Sequence, residues 1–258
     1  MFISRRIFSA VVLCLVTAAS ADAQEKVLKI GTEGASPPFN NLASDGSLVG
    51  FDIDIANALC AEMKVKCEFL VQDWEGLIPA LQAGKFDAIV SSMSITKERL
   101  KKVDFTEKYF DIPPAIAVPK DSTINGTSET DLANRSIGAA ASTTHFYFAE
   151  KTYKQSTVQG YPSSLEMQGD LAGGRLDAMI DRLTMITDWL ATQEGACCKN
   201  IGTVVPDPDV YGPGSGIAVR KGDVDLARQF NEAIKAIRTN GKYKEINDKY
   251  FTFDAYGK

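Results

Sequence analysis

Hydroxyl side chains followed by a single arginine form the stretch of this sequence best suited to chemistry. Ser91, Ser92 and Ser94 come directly after a short apolar run, and Arg99 follows them. A guanidinium pairs with a carboxylate through two parallel hydrogen bonds, and free hydroxyls and backbone amides donate to the same group. These residue types at this spacing predict a seat for a small carboxylate. The alternative is an ordinary polar turn with a solvated arginine.

Two elements must position these groups. Residues 86–90 read as a short buried strand, and Thr96 is a typical N-cap that places Arg99 in the first turn of a helix. Ligands of open α/β sheets lie beyond the carboxyl ends of the strands. Helix N-termini there offer unpaired N–H groups and partial positive charge. The chemistry is therefore expected at a strand-to-helix turn.

Composition and charge restrict the class of protein. The 258 residues are 45% hydrophobic and 24% charged, which is typical of a soluble globular chain. This length suffices for one large domain or two medium lobes. The net charge of −5 argues against a nucleic-acid binder.

The N-terminus has the pattern of an export signal. Two arginines precede the apolar run 7–19, and residues 21–23 form an A-x-A cleavage site. The apolar run is too short to span a bilayer comfortably. We therefore predict that residues 1–23 are a signal peptide cleaved after Ala23, and that the mature protein is exported and soluble.

The cysteines leave their pairing open. Four follow the signal segment, and four cysteines allow three pairings. Cys60 and Cys67 flank a helix-to-strand turn, so a short bridge is compatible with their spacing. Cys197 and Cys198 are adjacent, and they either form a strained vicinal disulfide or stay reduced. No histidine lies near them in the sequence, and no metal site is predicted.

Strands and helices alternate in the predicted element order. Strands are predicted at 27–32, 67–71, 86–90, 115–118, 136–140, 157–161 and 217–220. Helices are predicted at 51–63, 74–83, 164–172, 183–192, 223–238 and 242–250, with another that begins within 142–145. A D-G turn within 44–47 suggests a hairpin. This order predicts an α/β fold with largely parallel pairing.

The chain also repeats itself. The stretch G-R-L-D-A-M-I at 174–180 echoes G-K-F-D-A-I-V at 84–90, and each follows an amphipathic helix. Two lobes of similar construction are the simple explanation. Asp87 and Asp177 lead the repeated strands and are expected to be structural. Paired prolines before the strand 115–118 suggest a crossing to the second lobe, and a later glycine-rich stretch suits the return.

Several motifs taken together resemble one family. They are I-G-T-E, V-G-F-D-I-D-I-A, L-I-P-A-L-Q-A-G-K-F-D-A-I, S-I-T-K-E-R, V-D-F-T, G-R-L-D-A and the closing G-K-Y-K-E-I-N-D-K-Y-F. They resemble the polar amino-acid solute-binding proteins of ABC importers over nearly the whole mature chain. Within that family the sequence is most similar to the lysine/arginine/ornithine-, histidine- and opine-binding (octopine, nopaline) proteins. S-T-T-H at 142–145 and the late A-C-C favour the opine group.

The resemblance implies a type II-like periplasmic binding protein, in which two α/β lobes joined by two crossing strands close on a ligand. The implied ranges are lobe 1 at 24–114 plus 219–258, lobe 2 at 119–213, and hinge strands at 115–118 and 214–218. A disulfide between Cys60 and Cys67 is also implied. The resemblance further implies a periplasmic monomer without a cofactor, with a membrane permease as its protein partner.

The resemblance also assigns site residues, none of them catalytic. Arg99 is expected to grip the α-carboxylate of the ligand. Amides and hydroxyls of Ser92, Ser94 and Thr144 are expected to assist. The full expected ligand-binding set is Glu33, Ser36, Trp74, Ser91, Ser92, Ser94, Arg99, Ser142, Thr143, Thr144, Asp181 and Arg182.

Two members of this set concern the ligand side chain. Trp74 stands where relatives place an aromatic wall, on which a cation or an aliphatic stem can pack. Glu33 stands where relatives that take basic ligands have an acid that reaches the side-chain nitrogen. Core packing of Trp74 and plain surface charge at Glu33 are the alternatives.

Two departures from the family pattern bear on the ligand. Ser36 stands where relatives carry an aromatic residue over the ligand, and this change opens room. Arg182 stands where relatives carry the acid that holds the α-ammonium. Asp181 comes one residue early, so strand alternation points it to the other face unless the backbone bulges. An arginine in the cleft attracts a second carboxylate, and both changes favour a larger or more acidic ligand such as an opine.

Two other classes compete with a carrier. A few relatives are dehydratases of small carboxylates, but acid–base catalysis usually shows a histidine or a perturbed carboxylate pair. The one histidine, His145, is expected at the cleft rim or the surface. The third class is a sensor module for a membrane receptor. A detached chain with a cleavable signal favours a diffusing carrier.

Overall fold

The computed structural model describes residues 26–257. The predicted signal peptide lies outside the described residues. The described part of the chain contains two five-stranded sheets and one three-stranded sheet. Its helices are all too short or too polar to cross a membrane.

Strands and helices alternate as the sequence predicts. The strands are β1 (Val27–Thr32), β2 (Ala35–Ser36), β3 (Asn40–Leu42), β4 (Leu48–Val49), β5 (Lys66–Val71), β6 (Ala88–Ile89), β7 (Val103–Phe110), β8 (Pro114–Pro119), β9 (Ser136–Ala140), β10 (Thr157–Tyr161), β11 (Ala178–Arg182), β12 (Cys198–Thr203) and β13 (Ser215–Arg220). The helices are α1 (Phe51–Glu62), α2 (Leu77–Gln82), α3 (Lys97–Leu100), α4 (Thr144–Thr152), α5 (Ser164–Ala172), α6 (Leu183–Leu190), α7 (Pro208–Tyr211), α8 (Val224–Thr239) and α9 (Lys242–Tyr250). β12 and α7 have no counterpart among the elements predicted from the sequence.

The first sheet has the strand order β5-β1-β6-β13-β7. β1 runs parallel to β5 and β6, and β13 runs antiparallel to β6 and β7. Helices α1, α8 and α9 supply a core cluster that includes the fully buried rings of Phe51 and Phe230. Apolar residues at helical spacing in α8 give it one buried face, which is why this helix packs on the sheet.

The second sheet has the order β10-β9-β11-β8-β12. β9 runs parallel to β10 and β11, while β8 runs antiparallel to β11 and β12. One apolar core cluster of this sheet includes residues of α4. A second cluster includes residues of α5 and α6. In both sheets, polar loops follow the carboxyl ends of the parallel strands.

The predicted hinge strands are members of the two sheets. Residues 115–118 lie in β8 of the second sheet, and 215–218 lie in β13 of the first. Both strands are apolar and lie buried between neighbouring strands. Residues 111–113 and 204–214 connect the two sheets, and the assignment of hinge strands stays a prediction. The exact lobe boundaries stay a prediction.

The repeated aspartates have the same structural role in both sheets. Asp87 accepts a hydrogen bond from the backbone N–H of Lys29 at 3.0 Å. Asp177 accepts one from the backbone N–H of Ser136 at 2.8 Å. Each carboxylate thus ties the start of its strand to the neighbouring parallel strand, which confirms the structural interpretation.

The cysteines divide into one bonded and one unbonded pair. Cys60 and Cys67 form a disulfide between α1 and β5, as the family resemblance implies. Cys197 and Cys198 are unbonded, with sulfur atoms 2.6 Å apart; the first is exposed and the second is buried. No group of His, Cys, Asp and Glu side chains suited to a metal ion occurs among residues 26–257.

Candidate functional site

A cleft between the two sheets brings together nearly all of the predicted site residues. Its space, including the part open to solvent, amounts to about 470 Å³, and residues of both lobes line it. The lining residues are Glu33, Ser36, Trp74, Ser91, Ser92, Ser94, Arg99, Ala140, Thr143, Thr144, His145, Ser164, Asp181, Arg182 and Met185. Only Ser142 of the predicted set is missing from this lining.

Arg99 is held from both sides of the cleft. The N-cap Thr96 accepts a hydrogen bond from the backbone N–H of Arg99 at 3.2 Å, as predicted. The Arg99 guanidinium donates to the carbonyl of Ser94 at 3.0 Å and to the carbonyl of Ser142 at 3.2 Å. It also lies 5.0 Å above the Trp74 ring, so this ring supports the guanidinium.

The Arg99 guanidinium stays charged at neutral pH. Burial lowers the pKa of Arg99 to about 10, and the positive charge of Arg182 acts in the same direction. A guanidinium carries five N–H donors, and the contacts to Ser94 and Ser142 use two of them. The remaining donors can bind a carboxylate.

Ser91 and Ser92 support the turn more than they face the cleft. The Ser91 hydroxyl accepts from the backbone N–H of Glu33 at 3.0 Å. The Ser92 N–H donates to the Tyr109 hydroxyl at 3.0 Å, and the Ser92 hydroxyl donates to Asp52 at 2.8 Å. The expectation that the amide and hydroxyl of Ser92 are free for a ligand is therefore wrong. Its φ of +55° turns these groups inward.

A buried network behind this turn was not identified from the sequence. Asp52 is fully buried and accepts from Tyr109 at 2.6 Å, Ser92 at 2.8 Å and Asn40 at 2.8 Å. Burial raises the pKa of Asp52, against the three hydrogen bonds. The motif V-G-F-D-I-D contains this aspartate, but an amphipathic helix pattern alone gives no sign that one of its acids faces inward.

Across the cleft, the N-terminus of α4 faces Ser94. The Ser94 and Thr144 hydroxyls lie 3.5 Å apart. Thr143 is the N-cap of α4, and its hydroxyl accepts from the backbone N–H of Phe146 at 3.2 Å. Ser142 lies at the rim, where its hydroxyl donates to Glu75 at 2.7 Å. The hydroxyls of Ser94 and Thr144 thus face each other across the cleft, whereas that of Thr143 caps α4.

Asp181 and Arg182 both reach the cleft. Asp181 accepts from the Ser164 hydroxyl at 2.6 Å and from the Arg182 N–H at 2.7 Å. Burial raises the pKa of Asp181. The sequence had left open which of the two faces the cleft; both line it although they are consecutive residues at the end of β11.

Arg182 spans the two lobes. Its guanidinium donates to the Ser92 carbonyl at 2.6 Å and to the Ser215 hydroxyl at 3.2 Å. It also lies 5.6 Å from the centre of the Phe39 ring and 5.3 Å from that of Phe110. These contacts anchor much of its charge in the first lobe.

Glu33 brings a half-buried carboxylate without an ion-pair partner to the cleft, where Arg182 acts on it only from a distance. It accepts from the Ser36 hydroxyl at 2.6 Å. Burial raises the pKa of Glu33, although that hydrogen bond opposes the shift. Within the described part of the chain, no basic side chain lies within ion-pair distance of it. A half-buried carboxylate in a cleft is a suitable partner for a cationic group of a ligand.

His145 and Ser164 were missed as lining residues. His145 is only 4% exposed, so the expectation of a rim or surface position was wrong. It was misplaced because the first turn of a helix is usually solvated. Ser164 opens α5 directly after β10, and this is the same strand-to-helix pattern that marks 91–99. That pattern could have found Ser164; nothing local in the sequence marks Ala140 or Met185.

Comparison with known proteins agrees with this geometry. The family described as bacterial extracellular solute-binding proteins, family 3, matches residues 28–253. The chain is 45% identical over 238 residues to an L-arginine-binding protein of Pseudomonas aeruginosa, covering 91% of this chain and 92% of that protein. It is 35% identical to the lysine/arginine/ornithine-binding periplasmic protein of Escherichia coli, covering 94% and 95%.

A solved structure shares the fold. An ancestral arginine-binding protein bound to arginine superposes with a TM-score of 0.81 at 34% identity, covering 88% of this chain and 99% of that chain. The fold is thus the two-lobe α/β arrangement of periplasmic amino-acid-binding proteins. With a family match over almost all of the described residues, the chain belongs to the bacterial extracellular solute-binding proteins, family 3.

Proposed function

We propose that this protein captures an α-amino acid with a cationic side chain outside the cytoplasmic membrane and delivers it to the permease of an ABC importer. Arginine is the first candidate. The observation that carries the proposal is Glu33, a half-buried carboxylate that lines the cleft with no cation of the described chain within ion-pair distance. Residues 1–23 act as the export signal in this proposal.

One end of the cleft suits the ligand α-carboxylate. Arg99 has unused N–H donors there, and the Ser94 and Thr144 hydroxyls lie beside it. The N-terminus of α4 adds partial positive charge from the opposite lobe. A carboxylate in this position would be bound from both sides, which would favour the closed arrangement.

Asp181 suits the ligand α-ammonium. Its carboxylate is buried at the floor of the cleft, with the Ser164 hydroxyl and the Arg182 N–H as its donors. Relatives place an acid one residue later for this purpose. The place of Asp181 in the cleft lining supports an equivalent role for it.

The remaining part of the cleft suits a cationic side chain. Trp74 presents its ring next to Arg99, and Glu33 supplies the negative charge. A guanidinium or ammonium that reached Glu33 would replace the missing cationic partner. The 45% identical relative is named for arginine, which supports the same choice.

An opine is the weaker ligand hypothesis. It depends on Arg182 attracting a second carboxylate, but that guanidinium already binds the Ser92 carbonyl and Ser215 hydroxyl. The larger space at Ser36 does not exclude an opine. Octopine and nopaline therefore belong in the binding test.

Catalysis has less support than binding. The single histidine, His145, is buried and shares a hydrogen bond with the Tyr211 hydroxyl. Burial lowers the pKa of His145 well below the usual range. It is poorly placed to exchange protons with a ligand. We propose that the protein is a carrier and not a dehydratase.

Isothermal titration tests the proposal. The exported protein is unfolded and refolded to remove any bound ligand, and is then titrated with arginine, lysine, histidine, glutamine, octopine and nopaline. We expect arginine or lysine to bind most tightly. Tight binding of an opine with no binding of arginine would overturn the ligand assignment, and ligand turnover followed by NMR would overturn the carrier role.

A further inference from the structure

We propose that His145 is a positioning residue for Asp181. In this proposal Tyr211 fixes His145 in the tautomer whose proton is on Nε2, and this N–H faces the Asp181 carboxylate and keeps it ionised for the ligand α-ammonium. The inference deepens the proposed function and depends on Asp181 having that role.

The three side chains lie in a row. The His145 Nδ1 atom is 3.1 Å from the Tyr211 hydroxyl oxygen. The His145 Nε2 atom is 3.6 Å from the nearer Asp181 carboxylate oxygen. Nε2 is buried and has no hydrogen-bond partner within the described residues. His145 and Asp181 are 4% and 3% exposed, so water has little access to either.

The tautomer follows from the hydroxyl hydrogen of Tyr211. Burial raises the pKa of Tyr211, so the hydroxyl keeps its proton. Its one acceptor within the described part of the chain is His145 Nδ1. A buried hydroxyl hydrogen without an acceptor is unfavourable, so the hydroxyl donates and Nδ1 accepts. The ring proton of neutral His145 is then on Nε2, on the side of Asp181.

The charges around His145 favour the neutral ring. Burial and the positive charges of Arg182 and Arg99 lower the pKa of His145 well below its usual range. Among residues 26–257, Asp181 is the one anion within ion-pair distance of the ring. Asp181 in turn is driven toward its neutral form by burial, so each N–H that points at it favours the ionised form.

At 3.6 Å the His145–Asp181 approach is longer than a hydrogen bond. The N–H dipole therefore acts on the carboxylate through space, beside the direct donors Ser164 and Arg182. Tyr211 belongs to α7, in the segment that returns to the first sheet. The row thus connects the return segment with the floor of the cleft.

NMR of the ligand-free protein tests the tautomer. The sequence has one histidine, so the imidazole nitrogen signals of a ¹⁵N-labelled sample need no assignment. We expect a protonated Nε2 and an unprotonated Nδ1, unchanged between about pH 5 and pH 8. A proton on Nδ1, or an imidazolium in this range, would overturn the proposal. In Tyr211→Phe the Nδ1 signal is expected to change, which provides a second test if a histidine variant does not fold.

A double-mutant cycle tests the effect on Asp181. We expect His145→Phe to weaken arginine binding by about tenfold. The loss should vanish in an Asp181→Asn background and with 5-guanidinopentanoate, which lacks the α-ammonium. His145→Gln, which keeps an N–H donor, should recover part of the affinity. An equal loss in the Asp181→Asn background would show a merely structural role.

The two proposals can fail separately. The NMR experiment needs no ligand, whereas the ligand assignment is tested by the titration panel alone. A panel in which arginine does not bind would overturn the proposed function even if the Nε2–H tautomer is observed.

Discussion

The two walls of the cleft satisfy their polar groups in different ways. In the first lobe, the turn at Ser91 and Ser92 is held by the buried Asp52 and Tyr109, and its hydroxyls already have partners. In the second lobe, His145 Nε2 has no hydrogen-bond partner within the described residues. The first wall is therefore preorganised, whereas the second keeps interactions that a ligand or lobe closure can complete.

This contrast predicts that different residues determine ligand affinity and the stability of the fold. Residues that hold the turn at Ser91 and Ser92 from behind, such as Asp52, should matter mostly for folding. Residues whose charge is incompletely compensated should matter mostly for binding, and their removal should not destabilise the protein. The following variants test that division, from the largest expected effect to the smallest.

Arg99→Ala should reduce ligand affinity most. It removes a charged donor from a water-poor cleft, and we expect a loss of about 3 kcal/mol or more. Isothermal titration with arginine measures it. Arg228→Ala is a matched control, because Arg228 lies on α8 and pairs only with exposed Asp225 and Glu232 among the described residues. Unchanged affinity in Arg99→Ala would mean that the pocket is misplaced.

Asp52→Asn should destabilise the first wall. The amide cannot accept from Tyr109, Ser92 and Asn40 as a carboxylate does, so at least one buried donor loses its acceptor. We expect the free energy of unfolding to fall by about 2 kcal/mol at neutral pH. Urea denaturation measures it. A variant as stable as the parent protein would show that this hydrogen-bond network does not contribute to the free energy of unfolding.

Cys60→Ser with Cys67→Ser should lower stability without affecting the cleft. The disulfide closes a loop of sequence separation 7. Loop entropy of this size corresponds to about 2 kcal/mol. We expect a lower urea midpoint and the same arginine affinity. A clear loss of arginine affinity would show that the disulfide also supports the binding site.

Glu33→Gln should stabilise the ligand-free protein slightly while it weakens arginine binding. Burial raises the folded-state pKa of Glu33 above its ordinary value of 4.5, so ionisation opposes folding as pH rises through this range. The variant should therefore have the higher melting temperature at pH 7, and the difference should disappear well below about pH 4. A melting difference that is independent of pH would contradict this explanation.

The sequence predicted the fold more completely than the site. Periodicity and glycine stops located helices such as α5 and α9 at their observed bounds, because these elements bury one face at regular spacing. The repeat around Asp87 and Asp177 indicated two similar lobes. β12 was not predicted, because its alternation is weak and its pairing with β8 is long-range.

The sequence predicted which residues line the cleft, but not the partners and directions of their side chains. Strand ends and N-caps placed Arg99 and Thr144 correctly in the cleft. The direction of a hydroxyl, as at Ser92, depends on a distant partner such as Asp52, which no local pattern reveals. His145 was misplaced because the first turn of a helix is usually solvated, and its partner Tyr211 lies 66 residues away in the chain.

The central claim is that Glu33 recognises the positive charge of the ligand side chain. Citrulline has nearly the shape of arginine but no such charge, so titration of both ligands into the native protein and Glu33→Gln tests the claim directly. We expect the native protein to bind arginine about a hundredfold more tightly, corresponding to roughly 3 kcal/mol for a charged contact in a buried site, and Glu33→Gln to lose most of this preference. Equal binding of the two ligands by the native protein, or an unchanged preference in Glu33→Gln, would contradict the account.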